Sequence, residues 1–174
     1  MVNRHTAIVI GSIMVIAGTI GYSSLSLVFA KDLQFRWYQV ESFDLLSIMF
    51  GGKLVVCNDS DYPVNFHQYS FDVIYDEQNL GVFSAQGVGL APHSASEISG
   101  KFVTDDKRVS QILFSSLDTA MSGSGQDARI NIDNMQVITT LDTKVIGVIP
   151  FSITQQYSGQ EFVDMMNQKT GCDE

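Results

Sequence analysis

HQYSFDVIYD, residues 67–76, is the stretch whose reading decides the fold. His67, Tyr69, Phe71, Val73 and Tyr75 fall on one side of an extended chain, and Gln68, Ser70, Asp72 and Asp76 on the other. A two-residue period belongs to a strand with one face in a core and one in water. Asp76 to Asn79 then offer turn-forming side chains before Leu80-Gly-Val-Phe83, so a hairpin is expected here.

Working outward, the chain keeps to strand signals. Upstream, Lys53-Leu-Val-Val-Cys57 follows Gly51-Gly52 as a short, nearly continuous apolar run, which suits a central strand. Asn58-Asp-Ser-Asp-Tyr-Pro63 breaks that run, because Asn, Asp and Ser bond their own backbone and Pro fixes φ. Leu33, Phe35 and Trp37 alternate with Gln34 and Arg36, predicting another half-buried strand. Downstream, Ser96, Ile98, Gly100 and Phe102 alternate before Thr104-Asp105-Asp106, which cap helices well.

The period then changes. Val109, Ile112, Leu113, Leu117, Ala120 and Met121 recur at three- and four-residue steps, predicting one amphipathic helix over 105–121 that Ser122-Gly-Ser-Gly125 ends. Ile130/Ile132 and Met135/Val137 give a strand whose phase shifts at Asn134, as a bulge would. A turn is expected at Asp142-Thr143. Val145, Gly147, Ile149, Phe151 and Ile153 follow as the last strand, with Pro150 pointing to an edge or a bulge. Ser158-Gly-Gln-Glu161 is a capping box before Phe162, Val163, Met165 and Met166, so a short helix closes the domain. The expected body is mostly β: an antiparallel sandwich of about seven strands over residues 31–157, with one inserted helix, then a C-terminal helix and tail over 158–174.

The N-terminal stretch is of another kind. From Ala7 to Ala30 the chain carries no charge, and a bilayer core of about 30 Å needs roughly 20 such residues. A helix buried in a soluble core would show a polar stripe and be shorter. Residues 1–6 are therefore read as a short tail and 7–30 as a transmembrane signal anchor in contact with the lipid bilayer. The alternative is a signal peptide cut after Val28-Phe29-Ala30, whose apolar region would be unusually long. Arg4 and the α-amino group precede the span while Lys31 and Arg36 follow it, so the positive-inside count is nearly balanced. The expected arrangement exports the following domain to the extracytoplasmic side.

Lys and Arg number 10 against 19 Asp and Glu, and Arg4 is the only charge before Lys31, so the acidic excess lies in the domain. Such a surface repels phosphate backbones, which excludes nucleic acid as an expected partner and disfavours adhesion to anionic lipid. With 45% hydrophobic and 17% charged residues the chain is too apolar and too weakly charged to be disordered.

Leu54-Val-Val-Cys-Asn58, leading to Tyr62-Pro63-Val64 and then to Tyr69-x-Phe71-x-Val73-x-Tyr75 and Leu80-Gly81, resembles the LEA14/WHy family, the late-embryogenesis-abundant group 2 proteins. The likeness covers roughly residues 33–154. It implies a fibronectin-III-like sandwich and a stress-protective, chaperone-like or binding role, with no catalytic residues to carry over. In that family a strand ends in Asn-Pro-Asn. Here Asn58 and Pro63 keep the frame of the turn, but Asp59 stands where the first Pro would be.

Chemistry-bearing patterns are few. His67 and His93 have no Cys or second His at zinc-ligand spacing, and the expectation is no metal and no cofactor. Asn58 to Asp61 offers several oxygens but lacks the Gly and distant Glu of an EF-hand, so it reads as an Asx-rich turn. Nucleophile elbows and P-loops are absent, and Gly87-Val-Gly89 lacks the third glycine of a dinucleotide loop. No enzyme is expected. Cys57 and Cys172 are the only cysteines. The simpler expectation is a buried Cys57 and a free tail Cys172; pairing them, as export would permit, ties the tail to the strand end beside Asn58. Asn58-Asp59-Ser60 is also a glycosylation sequon.

Three functions follow as expectations. One is a membrane-held stress or binding module that uses exposed Tyr69, Phe71, Tyr75 and Phe83. The second is a structural accessory subunit of a larger membrane protein complex. The third is a lipid or apolar-ligand carrier, which needs an internal cavity.

Overall fold

A computed structural model of the chain describes residues 4–38, 51–104, 132–145 and 149–172; the side chains of 4, 22–27 and 145 lie outside that description. Helix α1 (Arg4–Ala30) comes first. At 1.5 Å per residue it is about 40 Å long. Its residues 5–21 are exposed on every side, and at its C-terminus Phe29 is half-buried and Ala30 fully so. Among the described residues no helix is long and apolar enough to cross a membrane.

The body consists of β1 (Gln34–Trp37), β2 (Gly52–Asn58), β3 (Val64–Asn65), β4 (Gln68–Tyr75), β5 (Gln78–Gln86), β6 (Gly89–Leu90), β7 (Ser94–Val103), β8 (Met135–Val145) and β9 (Ile149–Ser158), closed by helix α2 (Gly159–Asn167). Seven strands form one antiparallel sheet in the order β1-β2-β7-β5-β4-β8-β9, while β3 and β6 pair separately. The sheet curls on itself. Phe35 of β1 stacks on Tyr69 of β4, with ring centroids 3.9 Å apart, although β2, β7 and β5 lie between those strands in the sheet. Such a contact requires the two halves to face one another, as the layers of a β-sandwich do.

Period-2 burial is why these segments are strands. Tyr69, Phe71 and Val73 are buried while Ser70 and Asp72 between them are only half so, and Leu33, Phe35 and Trp37 are buried around an exposed Gln34. β2 is central, paired with β1 on one side and β7 on the other, and its last five residues are all buried. Phe71 stacks on Phe83 at 4.6 Å and meets Phe162 of α2 at 4.9 Å, so the helix plugs the open side of the curl and touches both edge strands, β1 and β9. The Ser158 hydroxyl accepts from the Glu161 N–H, and the Glu161 carboxylate accepts from the Ser158 N–H, forming the expected capping box. Within the sheet the Phe83 ring of β5 lies across Gly100 of the neighbouring β7, where a Cβ would come within 2.0 Å of it.

Several local expectations are corrected. The hairpin after β4 turns on two residues, Asp76 and Glu77, both with positive φ (46° and 64°), and Gln78 and Asn79 already belong to β5. A two-residue turn of this sign matches the twist of the strands, and the register shifts between Val73 and Ile74. The break at Asn134 is a 3-10 turn, Ile132–Asn134, ahead of β8 and not a bulge within it. Asp142 and Thr143 form no turn: β8 runs through them to Val145, because Asp142 pairs with Gln68 and Ser152 while the Thr143 hydroxyl donates to the Asn65 carbonyl at 2.8 Å. His67 precedes β4 and is exposed. Pro150 lies on the last strand of the described sheet, the kind of position where a residue without an N–H is tolerated. The helix expected over 105–121, with Ser122 to Gly125 and Ile130, falls outside the described residues.

Candidate functional site

Strand directions bring one set of loops together. The ends of β2, β5 and β8 and the beginnings of β1, β4, β7 and β9 share the end of the sandwich from which α1 departs. There the buried Asn58 organises the turn that follows β2. Its Nδ2 donates to the Tyr62 carbonyl (2.8 Å) and the Ala91 carbonyl (2.9 Å), and its Oδ1 accepts from the Ser60 N–H (3.2 Å) and hydroxyl (2.7 Å). Every hydrogen-bonding position of the amide is thus used. Replacing Asn58 by alanine is expected to destabilise the domain by about 2 kcal/mol, since the turn loses the four hydrogen bonds that the buried amide makes; an unchanged urea midpoint would contradict this network.

That arrangement answers the sequon as well. Asn58 is 1% exposed, and both amide hydrogens are engaged, so the folded domain presents no acceptor nitrogen for a glycan. Pro63 lies exposed at the end of the same turn and leads into β3.

Asp59, next along the turn, faces His93. The imidazole Nδ1 lies 3.7 Å from Asp59 and Nε2 lies 2.9 Å from Asp61. Its hydrogen bond to Asp61 is the main cause that raises the His93 pKa, and the charges of both carboxylates add to it. With both ring nitrogens facing carboxylates the protonated form of the imidazole is favoured over the neutral one. A folded pKa above the ordinary 6.5 means that the cluster contributes stability below that pH and loses it as pH rises through the folded value. The His93 ring protons are therefore expected to titrate in NMR spectra above 6.5, and Asp61→Asn to lower that midpoint; equal midpoints would refute the pairing.

The tail returns to this corner. Cys57 and Cys172 form a disulfide with 5.8 Å between their Cα atoms, which corrects the expectation of a free tail thiol. The Gly171 N–H donates to Gln34 Oε1 at 2.8 Å, and a Cβ at Gly171 would lie 2.8 Å from the Asp59 carboxyl, so a larger residue there would have to push that exposed side chain aside. Phe29 of α1 stacks on Tyr62 at 4.8 Å, joining helix to turn. Gln34 and the His93 pair carried no motif, and nothing in the Tyr62-Pro63-Val64 motif pointed to Phe29, because these partners lie far away in sequence.

Elsewhere the aromatic face expected to bind clients is the core itself. Tyr69, Phe71 and Phe83 are buried and only Tyr75 is half-exposed, which removes that surface. Burial pushes the Tyr69 phenol above its ordinary pKa, so it stays neutral. Phe162 and Met166 fill the interior where a carrier would hold its ligand. At the opposite end an open depression of about 240 Å³ is lined by Asp76, Glu77, Asp133, Asn134 and others, with the Asn134 amide donating to Asp76. Among the described residues no three metal-ligating side chains cluster.

No family model matches the chain. No curated protein matches it either. Among solved structures it is similar to one described as "Crystal structure of protein from Archaeoglobus fulgidus", at 10% identity and a TM-score of 0.33, covering 72% of this chain and 94% of that one. A likeness of that degree says nothing about function.

Proposed function

We propose that the chain is a single-pass, membrane-anchored, non-enzymatic protein whose domain, a fibronectin-III-like sandwich of the LEA14/WHy type, serves a stress-protective or binding role on the extracytoplasmic side. The observation that carries the reading is α1: residues 5–21 are exposed all round and include Ile8, Ile13, Met14, Val15 and Ile16, while Phe29 and Ala30 at its C-terminal end are seated on the domain. An apolar helix exposed on every side is costly in water and at home in lipid. The described exposed stretch is shorter than a span by itself, but the uncharged run of sequence continues to Ala30 and α1 is continuous over it. The Cys57–Cys172 disulfide supports an oxidising compartment.

The test is extraction of membranes from cells making the full chain. The protein stays in the pellet after an alkaline carbonate wash and enters solution only with detergent; release by the wash alone would overturn the anchor.

A second reading, a structural accessory subunit of a membrane complex, is favoured by β9. This ten-residue strand ends the described sheet, has no charged side chain and is exposed along most of its length. Such an edge can accept a further strand from a partner. Stoichiometric co-purification in gentle detergent separates this reading from a lone binding module.

A further inference from the structure

Outside α1, the large apolar side chains exposed among the described residues are Tyr38, Tyr62, Val103, Ile149 and Phe151. Tyr38 and Val103 lie at the end of the sandwich away from α1. The other three lie at the end from which α1 departs. Tyr62 stacks on Phe29 in the last turn of the helix. α1 touches β3 and β8, and the end of β8 is held beside β3 by the hydrogen bond from Thr143 to Asn65. Phe151 is the direct partner of Thr143, and Ile149 pairs with Val145.

These pairs also fix the direction of the side chains. Cross-strand partners share a face, so Phe151 and Ile149 continue the inward apolar stripe of Ile153 and Tyr157. That stripe is covered near α2 and runs out of cover at the other end: Ile153 and Tyr157 are packed against the core, but Phe151 is 41% and Ile149 56% exposed, and Tyr62, at the same end of the sandwich, is 42% exposed.

We infer that Tyr62, Ile149 and Phe151 form a rim that dips into the headgroup region of a zwitterionic bilayer and holds the domain at a fixed tilt on the membrane. The inference rests on the reading of α1 as the membrane span. If α1 crosses the bilayer, the uncharged run ends at Ala30, so the base of the domain meets the surface with no spacer. Aromatic rings with a polar edge prefer that depth, and aliphatic neighbours gain from leaving water. The acidic balance of the domain, with Asp59 and Asp61 beside the rim, opposes attraction to anionic lipid, so the contact is apolar and aromatic in kind.

The test uses the full chain reconstituted into phosphatidylcholine vesicles, with a fraction of the lipid brominated near the headgroup end of its acyl chains. Phe151→Trp and, as a control at the far end, Val103→Trp are compared with the wild type, whose only tryptophan, Trp37, is buried. The expected result is that all three float with the vesicles and only Phe151→Trp loses emission to the brominated lipid. Flotation with equal, small quenching of both variants would overturn the rim while leaving the anchor standing. Blue-shifted but unquenched Phe151→Trp emission would overturn it too, because the rim would then be covered by a second copy or another protein. Failure to float would remove the anchor and, with it, the rim.

Discussion

Phe71→Ala is expected to lower the stability of the domain by about 3–5 kcal/mol, the usual cost of emptying a buried phenylalanine site. The residue is fully buried and sits where the layers meet, stacked on Phe83 at 4.6 Å, edge-on to Tyr69 at 6.2 Å and against Phe162 of α2 at 4.9 Å. Its neighbours come from β5, β4 and α2, so no single element can relax into the void. For a domain of this size the loss corresponds to a fall in Tm of about 10 °C. The measurement is a near-ultraviolet circular dichroism melt of the full chain in mild detergent. Phe151→Ser, at the uncovered end of β9, is the internal comparison and is expected to cost under about 1 kcal/mol. Equal losses for the two variants would mean that Phe71 is not at the centre of a packed interior.

The second large effect is that of the disulfide. Closing a loop across a sequence separation of 115 residues restricts the unfolded chain, and a cross-link of that span contributes about 3–5 kcal/mol. Reduction is expected to lower the urea midpoint while the strand signal in circular dichroism persists below it. Cys172→Ala should reproduce the loss, since it removes the link and leaves Cys57 in place as a small buried group. The Gly171 to Gln34 hydrogen bond then lacks its covalent support, so backbone amide exchange in residues 168–172 should accelerate first. A midpoint indifferent to reductant, with intact mass confirming the oxidised form, would show that the link adds nothing to stability.

Much of the architecture was legible from short-range pattern. Strands such as β4 and β1 alternate because one face is dry, and that alternation is written directly into residues 67–76 and 33–37. The capping box of α2 was legible for the same reason: both of its partners lie within three residues of one another. Where the reading failed, a distant partner had overruled a local preference. Asp142 and Thr143 favour turns in isolation, yet pairing with Gln68 and Ser152 and the bond to Asn65 keep them extended. The candidate site was legible in part. Asn58 and Pro63 mark a turn from sequence alone, but the Ala91 carbonyl that completes the amide network lies 33 residues on, and the His93 ring that faces Asp61 lies 32 on.

By itself the sequence determined that an uncharged apolar helix precedes an acidic domain of alternating strands, because periodicity and the absence of charge are properties of neighbouring residues. Tertiary structure alone decided which apolar faces are covered. Tyr69, Phe71 and Phe83, which a binding surface would have needed in the open, are the core, whereas Ile149 and Phe151 look like a core face and stand open at the end from which α1 departs. It also brought Cys172 back to Cys57. Burial and pairing depend on what the rest of the chain lays against a residue, and that is set by the curl of the sheet and not by the residue or its neighbours in sequence.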